Sequence, residues 1–220
     1  MPTKKVYNKG QATIFTNKYL EALTKSHPAI IYAIYLPVIG FLLYYATREL
    51  GMLGKQVTLL FFSGLLSWTI FEYIAHRFAF HPQSKNPVVQ RIAYVLHGNH
   101  HEFPKDKQRI IMPPVPSLLL SGSIFACMYL VAGNSAFAFF PGFIMGYLLY
   151  SGLHYAIHAM APPFPWLKPL WRNHQLHHYK NENMGFGVSS LLWDRVFGTT
   201  FDLTVNKEDP VKVKELMHDK

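Results

Sequence analysis

Residues 135–159 read SAFAFFPGFIMGYLLYSGLHYAIHA, 25 residues without one Asp, Glu, Lys or Arg. About 20 apolar residues suffice to cross the hydrocarbon core of a bilayer as a helix. This run is apolar on every side, whereas a helix of a soluble core alternates with a polar face every 3.6 residues. Three further runs behave alike. Residues 29–46 and 115–133 are uncharged, and residues 57–75 carry only Glu72. The sequence therefore predicts an all-α, polytopic membrane protein with four transmembrane helices, at about 29–46, 57–75, 115–133 and 135–159. Residues 76–114 and 160–205 are left as a polar helical cap, and residues 1–220 read as one membrane-embedded domain.

Charge sets the expected orientation. The chain carries 21 Lys+Arg against 12 Asp+Glu, a formal net charge of +9. Residues 1–28, 76–114 and 160–220 hold 5, 6 and 8 of these basic residues, 19 of the 21. Excess Lys and Arg mark the cytoplasmic side of a membrane. With four spans these segments share one side, so both termini and the cap are expected in the cytoplasm of a bacterial inner membrane or on the endoplasmic reticulum. The basic residues are spread over three segments rather than gathered into a stripe, so a nucleic-acid partner is not expected. The polar N-terminal 28 residues do not resemble a cleaved signal peptide. Cys127 is the one cysteine, which excludes an intramolecular disulfide framework.

Ten of the 12 histidines fall in four clusters: His76 and His81; His97, His100 and His101; His154 and His158; His174, His177 and His178. Only His27 and His218 stand apart, and these read as ordinary polar residues. His154 and His158, four apart, project from one helical face. Each cluster of three has i, i+3, i+4 spacing, which puts its rings on one helical stripe. The five-residue step from His76 to His81 does not align on a straight α-helix, so a bend near Pro82 is expected to bring the second ring inward. The orientation taken from Lys and Arg places all four clusters on the same side.

Ten nitrogen donors exceed the needs of one ion, whereas two ions with four or five imidazoles each use them all. Imidazole suits iron, zinc, copper or nickel, so the donor set does not name the metal. Neutral rings leave a charge of about +4 on two divalent ions, and Glu72, Glu102, Asp106 and Asp194 are candidate second-sphere acceptors for imidazole N–H groups. A site at the ends of spans argues against a metal transporter, whose sites lie near the midplane. A zinc protease is excluded because Lys105 stands where His101-Glu102 would need a second histidine. Tyr147 and Tyr150 lie seven and four residues before His154 on the same face, and are candidates for lining a lipid channel.

The boxes H-x4-H, H-x2-H-H, H-x3-H and H-x2-H-H resemble those of the fatty acid hydroxylase/sterol desaturase superfamily. Within it, the chain resembles the fatty acid 2-hydroxylases through His97-Gly-Asn-His100-His101-Glu-Phe-Pro-Lys-Asp, Met112-Pro113-Pro114 and Phe186-Gly-Val-Ser-Ser-Leu-Leu-Trp193-Asp194-Arg195, over about residues 72–200. The resemblance implies an O2-dependent enzyme with a di-iron centre, which purified protein can carry as zinc. It would hydroxylate carbon 2 of a fatty acid or sphingolipid acyl chain. Sterol or carotenoid oxidation is the alternative within the superfamily. Many relatives carry a b5-type cytochrome domain with a His-Pro-Gly-Gly motif. Here His27-Pro28 is followed by Ala29-Ile30, so a separate electron donor is expected, such as a b5-type cytochrome or a ferredoxin with its reductase. Tyr150 is followed by Ser151, where eukaryotic relatives tend to carry an acid.

Overall fold

The computed structural model describes residues 6–201, and these form helices and turns without strands. Four long helices carry the fold: α2 (Pro28–Arg48), α3 (Gly54–Ile74), α6 (Pro114–Ala132) and α7 (Ala136–Ala159). Shorter ones are α1 (Lys18–Ala22), α4 (Pro87–Ala93), α5 (Asn99–Glu102), α8 (Lys168–Tyr179) and α9 (Leu192–Val196). Three segments are long and apolar enough to cross a membrane: 28–48, 54–80 and 114–159. The third contains both α6 and α7, which the sequence divides at Gly133-Asn134. At that point Gly133 takes φ +55°, a left-handed conformation that a residue with a Cβ adopts at a cost.

Side-chain pairings give the helix directions. Ser117 meets Tyr147, Phe125 meets Phe140 and Tyr129 meets Phe137, so α6 and α7 run antiparallel. Helix α2 is also antiparallel to α7, since the Tyr32 hydroxyl donates to the Leu148 carbonyl and Tyr45 lies against Phe137. Helix α3 runs parallel to α7. Gly64 faces Phe139 and Phe143, Gly142 faces Phe61 and Leu65, and Gly146 takes the Trp68 side chain. At Gly64 and Gly142 the two backbones touch, and a Cβ at either would collide with the carbonyl oxygen of Phe139 or Phe61. Small residues at such crossings let helices pack without a hydrophobic driving force between them.

Helix α7 is the central post, with Phe140, Phe143, Ile144 and Leu148 buried against Ile31, Tyr35 and Trp68. Helix α6 buries only Ser117, and its outer residues Leu119, Leu130 and Val131 are exposed. The carboxyl ends of α3 and α7 emerge together, and the short helices gather over them. Asn86 caps α4 by accepting from the Val88 and Val89 amides, with Pro87 in the first helical position. Pro113 and Pro114 open α6, turning the chain back into the bundle. In α8, Trp171 is buried against Ile157, Leu176 and Val188, with its indole N–H on the Met160 carbonyl. Trp166 is exposed.

Candidate metal centre

Helix α3 does not end at Ile74. It widens into a π-helical turn over Ala75–Phe80, and His81 follows with φ −116° and ψ 55°. A π turn adds a residue to each turn, so rings five apart come onto one side. This answers the spacing that no straight α-helix accommodates, and it precedes the bend that Pro82 was expected to impose. A second π turn, Tyr94–Gly98, carries His97 into α5 with His100 and His101. Helix α7 supplies His154 and His158, and α8 supplies His174, His177 and His178.

All ten clustered histidines are buried, and they divide into two groups of five. One comprises His76, His81, His97, His101 and His177; the other comprises His100, His154, His158, His174 and His178. Within each group the donor atoms lie within 4.8 Å of one another. The sets of three therefore do not serve one ion as a stripe. Residues four apart (97 and 101, 174 and 178) share a group, while the ring between them (His100, His177) joins the other. Successive residues are about 100° apart on a helix, enough to aim neighbouring rings into different cages.

The tautomers support a cation in the first of these cages. His76 Nδ1 lies 2.6 Å from the Phe186 carbonyl and His177 Nδ1 2.7 Å from the Met184 carbonyl. A carbonyl only accepts, so both rings carry their proton on Nδ1 and turn a bare Nε2 lone pair inward. Nε2–Nε2 separations are 3.0 Å for His76–His97 and His97–His101, and 3.1 Å for His81–His177. In the second group they are 3.0 Å for His100–His154 and His174–His178, 3.1 Å for His100–His158, and 2.9 Å for His158–His174. Metal–nitrogen bonds of about 2.0–2.1 Å place two donors at right angles about 2.9 Å apart and tetrahedral donors about 3.4 Å apart. The observed edges are short enough for the five donors of each group to face one ion. The donor set fits two divalent metal ions.

Burial first, and neighbouring imidazoles second, hold His97, His100, His101, His174, His177 and His178 well below the usual imidazole value of 6.5. Neutral rings are what a metal requires. The sign for stability follows: below about pH 6.5 the unfolded chain binds protons that the folded cap refuses, so stability falls with pH in that range. Thermal unfolding of metal-free protein is expected to show a lower midpoint at about pH 5.5 than at about pH 7.5.

Tyr147 and Tyr150 line a cavity of about 340 Å³ that also exposes His76 and His97. The cavity runs between α3 and α6 against α7, and its far end is walled by Ile124, Phe143 and Ile144. Tyr150 packs on the His154 ring at 5.4 Å, and the Tyr147 hydroxyl lies 3.2 Å from Ser117 Oγ.

The four carboxylates take other partners than imidazole N–H groups. Glu72 accepts from the Val188 and Ser189 amides, the Ser189 hydroxyl and the Trp68 indole. Asp194 accepts from the Phe186 and Gly187 amides, Asn173 and Thr199. Glu102 accepts from the Tyr94 hydroxyl, whose pKa burial and then that carboxylate push up to about 12. Asp106 pairs with Arg109, which also binds Glu21. The carbonyls of Phe186 and Met184, which do receive imidazole protons, escape sequence reasoning because every residue carries one. His27 caps α2 by accepting from the Ala29 amide; His218 lies outside the described residues.

The fatty acid hydroxylase family model matches residues 61–199. The dihydroceramide fatty acyl 2-hydroxylase FAH2 of Arabidopsis thaliana is 36% identical over 186 residues, 84% of this chain and 78% of that protein. The ceramide very long chain fatty acid hydroxylase SCS7 of Saccharomyces cerevisiae is 37% identical over 199 residues, and the fatty acid 2-hydroxylase of Homo sapiens 38% over 147. The chain spans only half of the yeast protein's length and 39% of the human one's. A structure of full-length Scs7p, with only its hydroxylase domain visible, superposes with a TM-score of 0.81 at 35% identity, covering 88% of this chain and 74% of that one. The matched region runs from within α3 through α9 and holds both histidine cages with the loop behind them, so this chain belongs to the fatty acid hydroxylase family.

Proposed function

We propose that the chain is a membrane oxygenase that hydroxylates carbon 2 of a fatty acid or a sphingolipid acyl chain. The observation that carries this reading is a pair of five-histidine cages, one of which meets an apolar cavity through His76 and His97. Two metal ions, iron in the working enzyme, supply the capacity to activate O2 and break an unactivated C–H bond, which no side chain can do. The ten histidines hold them. The chain's own walls do the rest: Trp68, Phe71 and Ile124 exclude water and receive the hydrocarbon. Tyr147 and Tyr150 are placed to position the carbonyl end, because they lie one to two turns from His154 on the same helix.

Four crossings, with α6 and α7 as separate spans, place the cages at the cytoplasmic face with both termini. At that boundary a lipid-soluble chain and O2 arrive from the bilayer, and electrons arrive from a separate carrier in the cytoplasm. The single-domain organisation belongs to the same reading, since span ends and cap contribute to both cages.

Mass spectrometry of hydrolysed lipids from cells expressing the chain with an electron-donating reductase tests the proposal. Fatty acids one oxygen heavier, with fragments placing it on carbon 2, are expected. An Ile144→Trp variant, which fills the far end of the cavity, is expected to shift the products towards shorter chains by several-fold while retaining carbon-2 position. No hydroxy acid in the presence of the donor, with new oxygen in sterol or carotenoid fractions, would transfer the site to those substrates.

A further inference from the structure

The loop between α8 and α9 is gripped from behind by two buried carboxylates. Its four consecutive amides are all taken. Those of Phe186 and Gly187 donate to Asp194 at 3.0 and 2.8 Å, and those of Val188 and Ser189 to Glu72 at 2.7 and 2.9 Å. The peptide joining Phe186 to Gly187 is bonded at both ends: its N–H is on Asp194 Oδ2 and its carbonyl takes the His76 Nδ1 proton. The peptide joining Met184 to Gly185 repeats the pattern one step further out. Its carbonyl takes the His177 proton, its N–H donates to the Thr199 carbonyl, and Thr199 donates its hydroxyl to the Asp194 carboxylate and its amide to the Asp194 backbone carbonyl. Glu72, one turn before His76 on α3, ties the loop to the helix that carries that ring.

Both imidazoles held in this way belong to the same group of five. In the other group, the Nδ1 atoms of His100, His154, His174 and His178 are buried without a protein hydrogen-bond partner. A carboxylate that accepts from one end of a peptide strengthens the carbonyl at its other end as an acceptor, since hydrogen bonds in series polarise one another. The familiar carboxylate–histidine–metal arrangement fixes ring orientation and raises ligand basicity; here one peptide is inserted into it.

We propose that Asp194 is a positioning residue for one metal site of the two, acting on His76 and His177 through the 184–187 loop, with Glu72 holding that loop in place. This rests on the reading of the ten histidines as ligands of two ions. Asp194→Asn keeps the side chain's size but turns an N–H2 towards donors, so two of the four bonds are lost. The experiment is a chelator titration of the purified zinc-loaded protein, counting zinc per chain by elemental analysis. In Asp194→Asn one zinc is expected to leave at about 10–100-fold lower chelator concentration, while the second leaves as in the unsubstituted protein. In a His76→Ala background, where that site is already broken, Asp194→Asn is expected to add nothing; in a His154→Ala background it is expected still to shift the remaining ion. Thr199→Val, which removes one donor to Asp194 without changing shape, is expected to shift the same ion by less and keeps the test open where Asp194→Asn folds poorly. Both ions shifting together, or neither, would overturn the inference. An unsubstituted protein that holds fewer than two zinc ions would instead count against the two-ion reading.

Discussion

His154→Ala is expected to lower 2-hydroxy fatty acid formation by more than about 100-fold. Outer-sphere substitutions around metal sites already cost about 10–100-fold, and His154 is itself one of five converging donors. Its ring is fully buried, 3.0 Å from His100 Nε2 and packed on Tyr150 at the cavity wall. The loss therefore strikes the ion and the lining together. Metal content is expected to fall from two ions per chain towards one, with His76, His81, His97, His101 and His177 still able to hold theirs. His81→Ala is expected to give the complementary loss. His27→Ala removes the acceptor for the Ala29 amide, a helix cap of about 1 kcal/mol, and an edge contact with the Tyr155 ring, and is expected to keep both ions and full activity. Product analysis paired with elemental counting on the same preparations checks all three; equal activity in His154→Ala would remove that histidine from the working site.

The second large effect lies far from any histidine. Gly142→Ala is expected to destabilise the fold by about 3 kcal/mol, the upper end of overpacking costs, because the added methyl group meets the Phe61 carbonyl rather than a side chain that can turn aside. Relief requires α3 and α7 to part, which also moves His76 away from His154 and His158. Reduced folded yield and weaker metal retention are therefore expected to appear together. Gly122→Ala is the control: nothing lies within 4 Å of a Cβ there, and alanine is the better helix former by about 1 kcal/mol. Detergent-solubilised melting curves separate the two, and a Gly142→Ala protein as stable as Gly122→Ala would contradict the backbone-to-backbone crossing.

The long helices were legible because charge-free length needs no knowledge of neighbours. The expected 29–46, 115–133 and 135–159 are observed as Pro28–Arg48, Pro114–Ala132 and Ala136–Ala159. The start of α4 is set locally, since Asn86 and Pro87 act within one turn. The identity of the clustered histidines was equally plain, but their division between cages was not. Helical spacing places His97, His100 and His101 on a common side; it does not say that two targets lie there, 100° being the step that separates them. The His76–His81 pair shows another limit. A π turn is set by what the widened helix packs against, and five-residue spacing by itself is also compatible with a break. The carboxylates were visible as residues, but their work depends on the path of the 184–190 loop, whose relevant groups are amides and carbonyls common to any sequence.

Helix α8 gives His177 to one cage and His174 and His178 to the other, and this has a consequence for how the protein is made. The ribosome releases the chain from the N-terminus, so seven of the ten histidines emerge while neither cage has its full set of donors. Both cages gain their last donors within five residues, 174–178, after all the long apolar helices have been synthesised. Neither group can therefore close around an ion before the long apolar helices have been made. An arrested chain ending before α8 carries histidines without either complete group of five.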